Sequence, residues 1–320
     1  MKIVFCGTPR FAVPSLEALL AAGHEVALVV SQPDRPVGRA QQLTAPPVKQ
    51  SALIAGIPVT QPEKIRNHAE FRAQLEAIAP DAIVVVAYGR IIPPWMLALP
   101  RFGCINLHAS LLPKFRGAAP IQWAVAMGDT VTGNSTMLLE EGLDTGPILL
   151  QETLPIASEQ TAADLFEILA QAGAPLVVKT LAGLADGSIQ PQSQDHSQAT
   201  LAPLLTREDG RMDFAHRTAS EHFNRWRGFQ PWPGAFTQLD GKKLIVHRLG
   251  VVNTSSVGIP ALAEPGQIYI ENHRLLVACA QNTWVELLEI QLEGKRRLPA
   301  AEFLRGTTLP TGTRLGSGAE

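Results

Sequence analysis

Residues 81–87, DAIVVVA, limit more than any other run what this chain can become. A strand that is apolar at every position, rather than at alternate ones, has to be covered on both faces. A parallel sheet layered between helices provides that cover, so the run predicts the central strand of an open α/β sheet. The segments before it fit. Residues 2–6 (KIVFC) and 25–30 read as strands. Between them lie a turn at Gly7-Thr8-Pro9 and a helix over 13–22, with Pro14 in the first turn, where its missing N–H costs little, and Gly23 past the end. Further helices are predicted over 46–55, 67–79 and 161–184, and a short strand over 56–60. Gly7 stands alone where a dinucleotide fold would carry G-x-G-x-x-G, so nucleotide binding at this turn is not expected.

The chemistry concentrates downstream, in residues 103–121. Residues 104–107 read as a strand, and Asn106 and His108 are two apart. Side chains at that spacing share a face, so an amide and an imidazole point into the same space at the strand's C-terminal end. The chain then breaks at Pro113, turns through Lys114-Phe115-Arg116-Gly117 and starts a helix near 118–127. Open α/β sheets place ligands at such strand-to-helix edges. A second apolar run, 136–139, leads to Asp144, in a loop between Gly142 and Gly146. Amide, imidazole and carboxylate at one sheet edge suit proton transfer and the stabilisation of an oxyanion. The loop 88–93, after the central strand, borders the same edge. Lys114 and Arg116 fit a solvated pair and a phosphate-facing pair equally well. The remaining histidines read as structural, and HExxH, P-loop and GxSxG patterns are absent.

Charge adds little. The net charge is −2, with 46% hydrophobic and 18% charged residues, which is globular and not that of a strongly basic nucleic-acid binder. Up to Leu205 there are 13 Lys and Arg against 17 Asp and Glu; beyond it, 14 against 12. Cys6, Cys104 and Cys279 sit in apolar runs without CxxC spacing and read as buried thiols in a reducing compartment. Met1-Lys2 leads straight into a strand and no apolar run of membrane length is seen, so the cytoplasm is the expected location and no membrane partner is expected. Residues 186–205 are polar and read as a linker. Beyond them, short strand-like runs at 235–239, 243–249, 267–270, 275–280 and 285–291 alternate with turns, the pattern of a small barrel.

Six stretches in order carry a resemblance: FCGTPRFAVPSLEALLAAGHEV (5–26), SQPDRPVGR (31–39), PVKQSALIAGIPVTQP (47–62), NLHASLLPKFRGAAPI (106–121), GLDTG (142–146) and RWRGFQPWPGAF (225–236). Together they resemble the folate-dependent formyltransferases over most of the chain. The resemblance implies an α/β catalytic domain over 1–185, with a Rossmann-like, open, mostly parallel sheet (the formyltransferase fold). It places the linker at 186–205 and an OB-like β-barrel that binds tRNA at 206–314. It implies 10-formyltetrahydrofolate as co-substrate, no metal, and methionyl-initiator tRNA as the acceptor, formylated on its free amino group for translation initiation by a monomer. Asn106, His108 and Asp144 take the catalytic positions. Ser110, Leu111, Leu112 and Pro113, with Tyr88, Gly89, Ile91 and Ile92, take the folate-binding ones. Arg39 matches the basic residue of a loop that enters the acceptor end of the tRNA, although Gln41-Gln42 stand where the family usually carries two basic residues. Within the same superfamily the acceptor could instead be a small amine, such as an amino sugar-nucleotide, or water, as in formyltetrahydrofolate hydrolase. A non-catalytic RNA-binding module is a different class of reading. The long loop and the barrel favour tRNA, and the Asn106, His108 and Asp144 set argues for catalysis.

Overall fold

The structure is a computed structural model, and it describes residues 1–38, 41–253, 258–259, 263–310 and 312–316. The chain divides into two compact units. The first comprises Met1–Ile121, Val131–Pro155 and Asp164–Pro203; the second comprises Gln122–Thr130, Ile156–Ala163 and Leu204–Glu320.

In chain order the first unit begins with β1 (Lys2–Gly7), α1 (Val13–Ala21), β2 (Glu25–Val30), β3 (Arg35–Val37), β4 (Gln42–Thr44), α2 (Pro47–Ile54), β5 (Val59–Thr60), α3 (Ala69–Ile78), β6 (Ala82–Val86), α4 (Pro94–Leu97) and β7 (Cys104–His108). Then follow α5 (Pro120–Ala126), which from Gln122 on belongs to the second unit, β8 (Val131–Leu138), β9 (Ile148–Pro155) and α6 (Ala162–Asp186). The main sheet has seven strands in the order β5-β2-β1-β6-β7-β8-β9. The first five are parallel. β8 and β9 run antiparallel to their neighbours. All five residues of β6 are buried, as the uninterrupted apolar run requires. Val4, Cys6, Leu28, Val30, Ile83 and Val85 pack with Phe71, Leu75, Tyr88 and Met96 on one face, and the alternate residues of the strands are buried as well. Burial pushes the Cys104 thiol up to about 12 and that of Cys6 well above its usual range, as inert core thiols should be.

Three segments differ from the sequence expectation. The run expected at 136–139 belongs to a longer strand, β8, which starts at Val131 and ends at Leu138. Two of its buried polar side chains are bonded: Asn134 Nδ2 donates to Leu169 O at 2.9 Å, and the Thr136 and Thr180 hydroxyls meet at 2.7 Å. The stretch 31–47, expected to be a loop, contains the antiparallel hairpin β3–β4. Lys49, two residues past this stretch, is held in place by its partners. Its Nζ donates to Asp34 at 2.8 and 2.9 Å and to Gln61 Oε1 at 2.7 Å, and the Asp34 carboxyl is held below its usual range by the bonds it accepts from Lys49 and from Gln61 Nε2. The polar stretch expected to be a linker is bonded to the first unit as far as Pro203. Gln192 exchanges both backbone bonds with Ile148 at 2.8 Å, and Ala202 N donates to Arg116 O at 2.7 Å. One further correction concerns α6. Its 25 residues are long and apolar enough to cross a bilayer, contrary to the expectation that no run reaches that length. Its residues from Leu165 to Leu181 pack into the core: Leu165, Leu169, Val177 and Leu181 are buried, and a Cβ on Gly173 would lie 2.6 Å from Leu107 Cδ2.

In the second unit come α7 (Ala219–Gly228), β10 (Ala235–Leu239), β11 (Lys242–Val251), β12 (Ile268–Glu271), β13 (Arg274–Ala278), β14 (Trp284–Leu292), β15 (Leu298–Pro299) and α8 (Ala300–Gly306). The sheet is antiparallel, ordered β10-β11-β14-β13-β12, with β15 against β14. The strands expected from alternation and turns are present, and their inner faces meet in a core of Leu244, Val246, Leu275, Val277, Val285, Leu287 and Ile290. The pairing is an open path: among the described residues no ladder joins β12 to β10. Thr218 and Glu221 form a capping box that starts α7. The stretch RWRGFQPWPGAF is structural here. The Arg225 guanidinium lies over Trp123 and Phe229, Trp226 Nε1 donates to His247 O at 3.2 Å, and Arg227 donates to Ala157 O and Gln160 O at 3.1 and 2.7 Å.

His222 on α7 is 3% exposed, beside the Phe214 ring. Burial, helped by the Arg217 charge, lowers its pKa from 6.5 to about 4. The unfolded chain therefore binds this proton more readily than the folded one. The stabilisation is present above pH 6.5 and is lost as pH falls towards about 4. A shift of this size corresponds to about 3 kcal/mol. Urea unfolding at pH 7 and pH 4.5 should show a smaller acid loss for His222→Leu than for the unsubstituted chain. Equal losses would show that His222 does not titrate in this way.

Candidate active site

Parallel strands β1, β6 and β7 end at one edge of the first unit's sheet, and β7 delivers the key pair there. Asn106 pairs in register with Val85 on one side and Met137 on the other, and His108 with Ser135. The two side chains share a face of β7. His108 is 6% exposed. Its Nε2 lies 2.9 Å from Phe115 O. A carbonyl can only accept, so Nε2 carries a proton and Nδ1 is the nitrogen left to exchange one. Nδ1 faces Asp144 Oδ2 at 3.7 Å, within ion-pair range but beyond a hydrogen bond. Asn106 and His108, two residues apart, and Asp144, in a separate loop, thus lie at one sheet edge.

Asp144 holds a left-handed backbone with φ of +52°, a conformation costing a non-glycine residue about 1–2 kcal/mol. Its Oδ2 accepts from Gly117 N at 2.7 Å. Two glycines make this approach feasible. A Cβ on Gly117 would lie 2.7 Å from Ala202 O, and one on Gly146 would lie 1.9 Å from Leu138 O. The loop therefore lies directly on the backbone at the end of β8.

The turn after β7 is bonded throughout. Ser110 Oγ donates to Lys114 O at 2.7 Å, so this hydroxyl shapes the turn. Ser135 Oγ donates to Ser110 O at 2.6 Å and accepts from Leu112 N at 3.0 Å. Gln151 Nε2 reaches Leu112 O at 3.0 Å and Ser135 Oγ at 2.8 Å. Leu112 is buried, while Leu111 and Pro113 are half-buried. In the loop after β6 the Tyr88 ring belongs to the core, and its carbonyl accepts from Thr8 Oγ1 at 3.0 Å and Gln32 Nε2 at 3.2 Å. Burial pushes the Tyr88 phenol well above its usual range. Ile92 is buried too, whereas Gly89 is exposed with φ of +79° and Ile91 is 88% exposed. What this loop can offer a ligand is therefore backbone and the Ile91 side chain, not the Tyr88 or Ile92 side chains. Arg39 lies outside the described residues. Arg116 is neither solvated nor phosphate-facing: it is buried, and its guanidinium donates to Gln194 Oε1 at 3.1 and 2.6 Å. Sequence reading missed Gln194, Ser135, Gln151 and Thr200. They are isolated polar residues with no motif or spacing to mark them.

An amide, an imidazole and a carboxylate thus lie at the C-terminal edge of a Rossmann-like sheet, and comparison with known proteins gives the chain a family. Residues 1–181 match formyl transferase and residues 204–308 match the formyl transferase C-terminal domain. The chain belongs to the formyl transferase family. It is 65% identical over 317 residues to the methionyl-tRNA formyltransferase of Acidobacterium capsulatum, covering 99% of this chain and 100% of that protein. It is 58% identical over 316 residues to the methionyl-tRNA formyltransferase of Koribacter versatilis, covering 99% of each. Among solved structures, the N-formyltransferase of Helicobacter canadensis, in complex with folinic acid and dTDP-3-aminofucose, superposes with a TM-score of 0.63. That match has 17% identity and covers 90% of this chain and 98% of the other, so it speaks to the fold alone.

Proposed function

We propose that this enzyme transfers the formyl group of 10-formyltetrahydrofolate to the free amino group of methionyl-initiator tRNA. The observation that carries the acceptor is the 65% identity, spread over both units, to a methionyl-tRNA formyltransferase. The edge of the sheet supplies the chemistry. The neutral amine attacks the formyl carbon, and the carbonyl oxygen becomes an oxyanion. Asn106 donates an amide hydrogen to it. A single such donor contributes about 3 kcal/mol in other acyl-transfer enzymes. His108 takes the proton the amine loses, through Nδ1, and returns one to N10 of the folate as the C–N10 bond breaks. Asp144 stabilises the imidazolium between these steps. The backbone of 110–113 and 88–92 borders the folate, and Arg39 meets the acceptor stem. No covalent enzyme intermediate is needed.

A formyl-transfer assay with 10-formyltetrahydrofolate separates the acceptors. Charged methionyl-initiator tRNA should be formylated, while uncharged tRNA, free methionine and an amino sugar-nucleotide are not. Transfer to the sugar-nucleotide, or release of formate without an acceptor, would retain the catalytic set and replace the substrate.

A further inference from the structure

We propose that Gln194 is a positioning residue that holds the Asp144 loop in its working conformation, with Arg116 fixing the direction in which Gln194 points. The inference rests on the catalytic reading of Asp144 and extends it to the polar stretch after α6.

The geometry admits one orientation of this amide. Gln194 is 6% exposed. Its Nε2 donates to Asp144 O at 2.9 Å and to Gly146 O at 2.7 Å, bracketing the turn that carries the carboxylate. Its Oε1 accepts from Arg116 Nε at 3.1 Å and from a terminal guanidinium nitrogen at 2.6 Å. Arginine can only donate and carbonyls can only accept, so the amide cannot flip without losing all four bonds. A glutamate would set a carboxylate oxygen against two carbonyls. A methionine would leave two buried carbonyls and a buried guanidinium short of partners.

Arg116 is itself anchored. It is 6% exposed, and its guanidinium also lies 3.1 Å from His196 Nδ1. Its backbone N and O bond Thr200 O at 2.8 Å and Ala202 N at 2.7 Å. Phe115, whose carbonyl meets His108 Nε2, donates its N–H to Thr200 Oγ1 at 2.9 Å. The stretch 192–202 thus braces both partners of His108: the Phe115 carbonyl through Thr200, and Asp144 through Gln194. Asp144 sits in left-handed backbone with its carboxylate 3.7 Å from Nδ1. Releasing the amide lets that turn relax towards a commoner conformation and draws the carboxylate away.

The test uses the full chain with Gln194→Met, Gln194→Glu and Asp144→Asn, singly and with Gln194→Met combined with Asp144→Asn. The expected result is a fall in kcat of about tenfold or more in Gln194→Met, with KM for formyl-folate unchanged within about twofold. The acid limb of the kcat–pH profile should move in the same direction as in Asp144→Asn. The double variant should be no slower than Asp144→Asn alone, because both changes act through one carboxylate. Gln194→Glu keeps the shape and a partner for Arg116, so it should fold and still lose kcat. Full activity in Gln194→Glu or Gln194→Met overturns the proposal, as does an equal further loss when Gln194→Met is added to Asp144→Asn. Full activity of Asp144→Asn by itself removes the catalytic reading and this proposal with it, and is thereby distinct from failure of the Gln194 assignment alone.

Discussion

Replacing His108 by alanine is expected to lower formyl-transfer turnover by about 10²–10⁴-fold. Asn106→Ala should cost about 10²–10³-fold, the usual effect of removing one donor to a developing oxyanion. The reason is positional. His108 is tied at Nε2 to the Phe115 carbonyl and faces Asp144 with Nδ1, so its imidazole is held in one orientation at the sheet edge. The melting temperature should move little for Asn106→Ala, since the strand's backbone ladder with β6 and β8 is untouched. Steady-state kinetics with each variant, alongside circular dichroism, checks this. Variants that fold and keep nearly full turnover would remove these residues from the mechanism.

The second large effect is on stability. Gly133 lies in β8 opposite Thr153, and a Cβ there would sit 2.0 Å from Glu152 O and 2.7 Å from Leu111 Cδ2. One contact is with backbone, so no side-chain rotation relieves it. Gly133→Ala should therefore cost about 3 kcal/mol, the upper end for overpacking a close-packed site. The strain lies two residues from Ser135, which pins the Leu112 turn, so KM for formyl-folate should rise as well. Denaturant unfolding with parallel kinetics would reveal it. Unaltered stability would mean that β8 and β9 separate at no cost.

The extent to which this was legible differs between parts of the molecule for physical reasons. β6 declared itself because a strand covered on both faces needs an apolar residue at every position, and a run of this length is too short for a helix. The hairpin-forming strands of the second unit declared themselves through alternation and turn residues such as Asp240-Gly241, where φ is positive at both positions. β9, half exposed, and the polar start of β8 did not. Asn134, Ser135 and Thr136 are buried and bonded through Asn134 Nδ2 and the two hydroxyls, and a one-dimensional pattern cannot distinguish a buried, bonded polar group from an exposed one. α6 declared itself as a helix over 161–184, although by length and composition alone it would look the same packed on a sheet or crossing a bilayer.

The site divides along the same line. Asn106 and His108 could be paired from sequence because a strand has period two, and a two-residue separation keeps side chains on one face. Their relation to Asp144, and that of Asp144 to Gln194, depends on how β8 folds back beside β7 and how the stretch after α6 returns to Arg116. Local chemistry was enough to say which side chains can carry a proton or meet an oxyanion, and on which edge they gather. The nitrogen of His108 left for exchange was set by the turn that brings the Phe115 carbonyl back to it, and the placing of the carboxylate and of the amide bracing it was decided by tertiary structure alone, because hydrogen bonds spanning 27 to 80 residues leave no periodic trace in the chain.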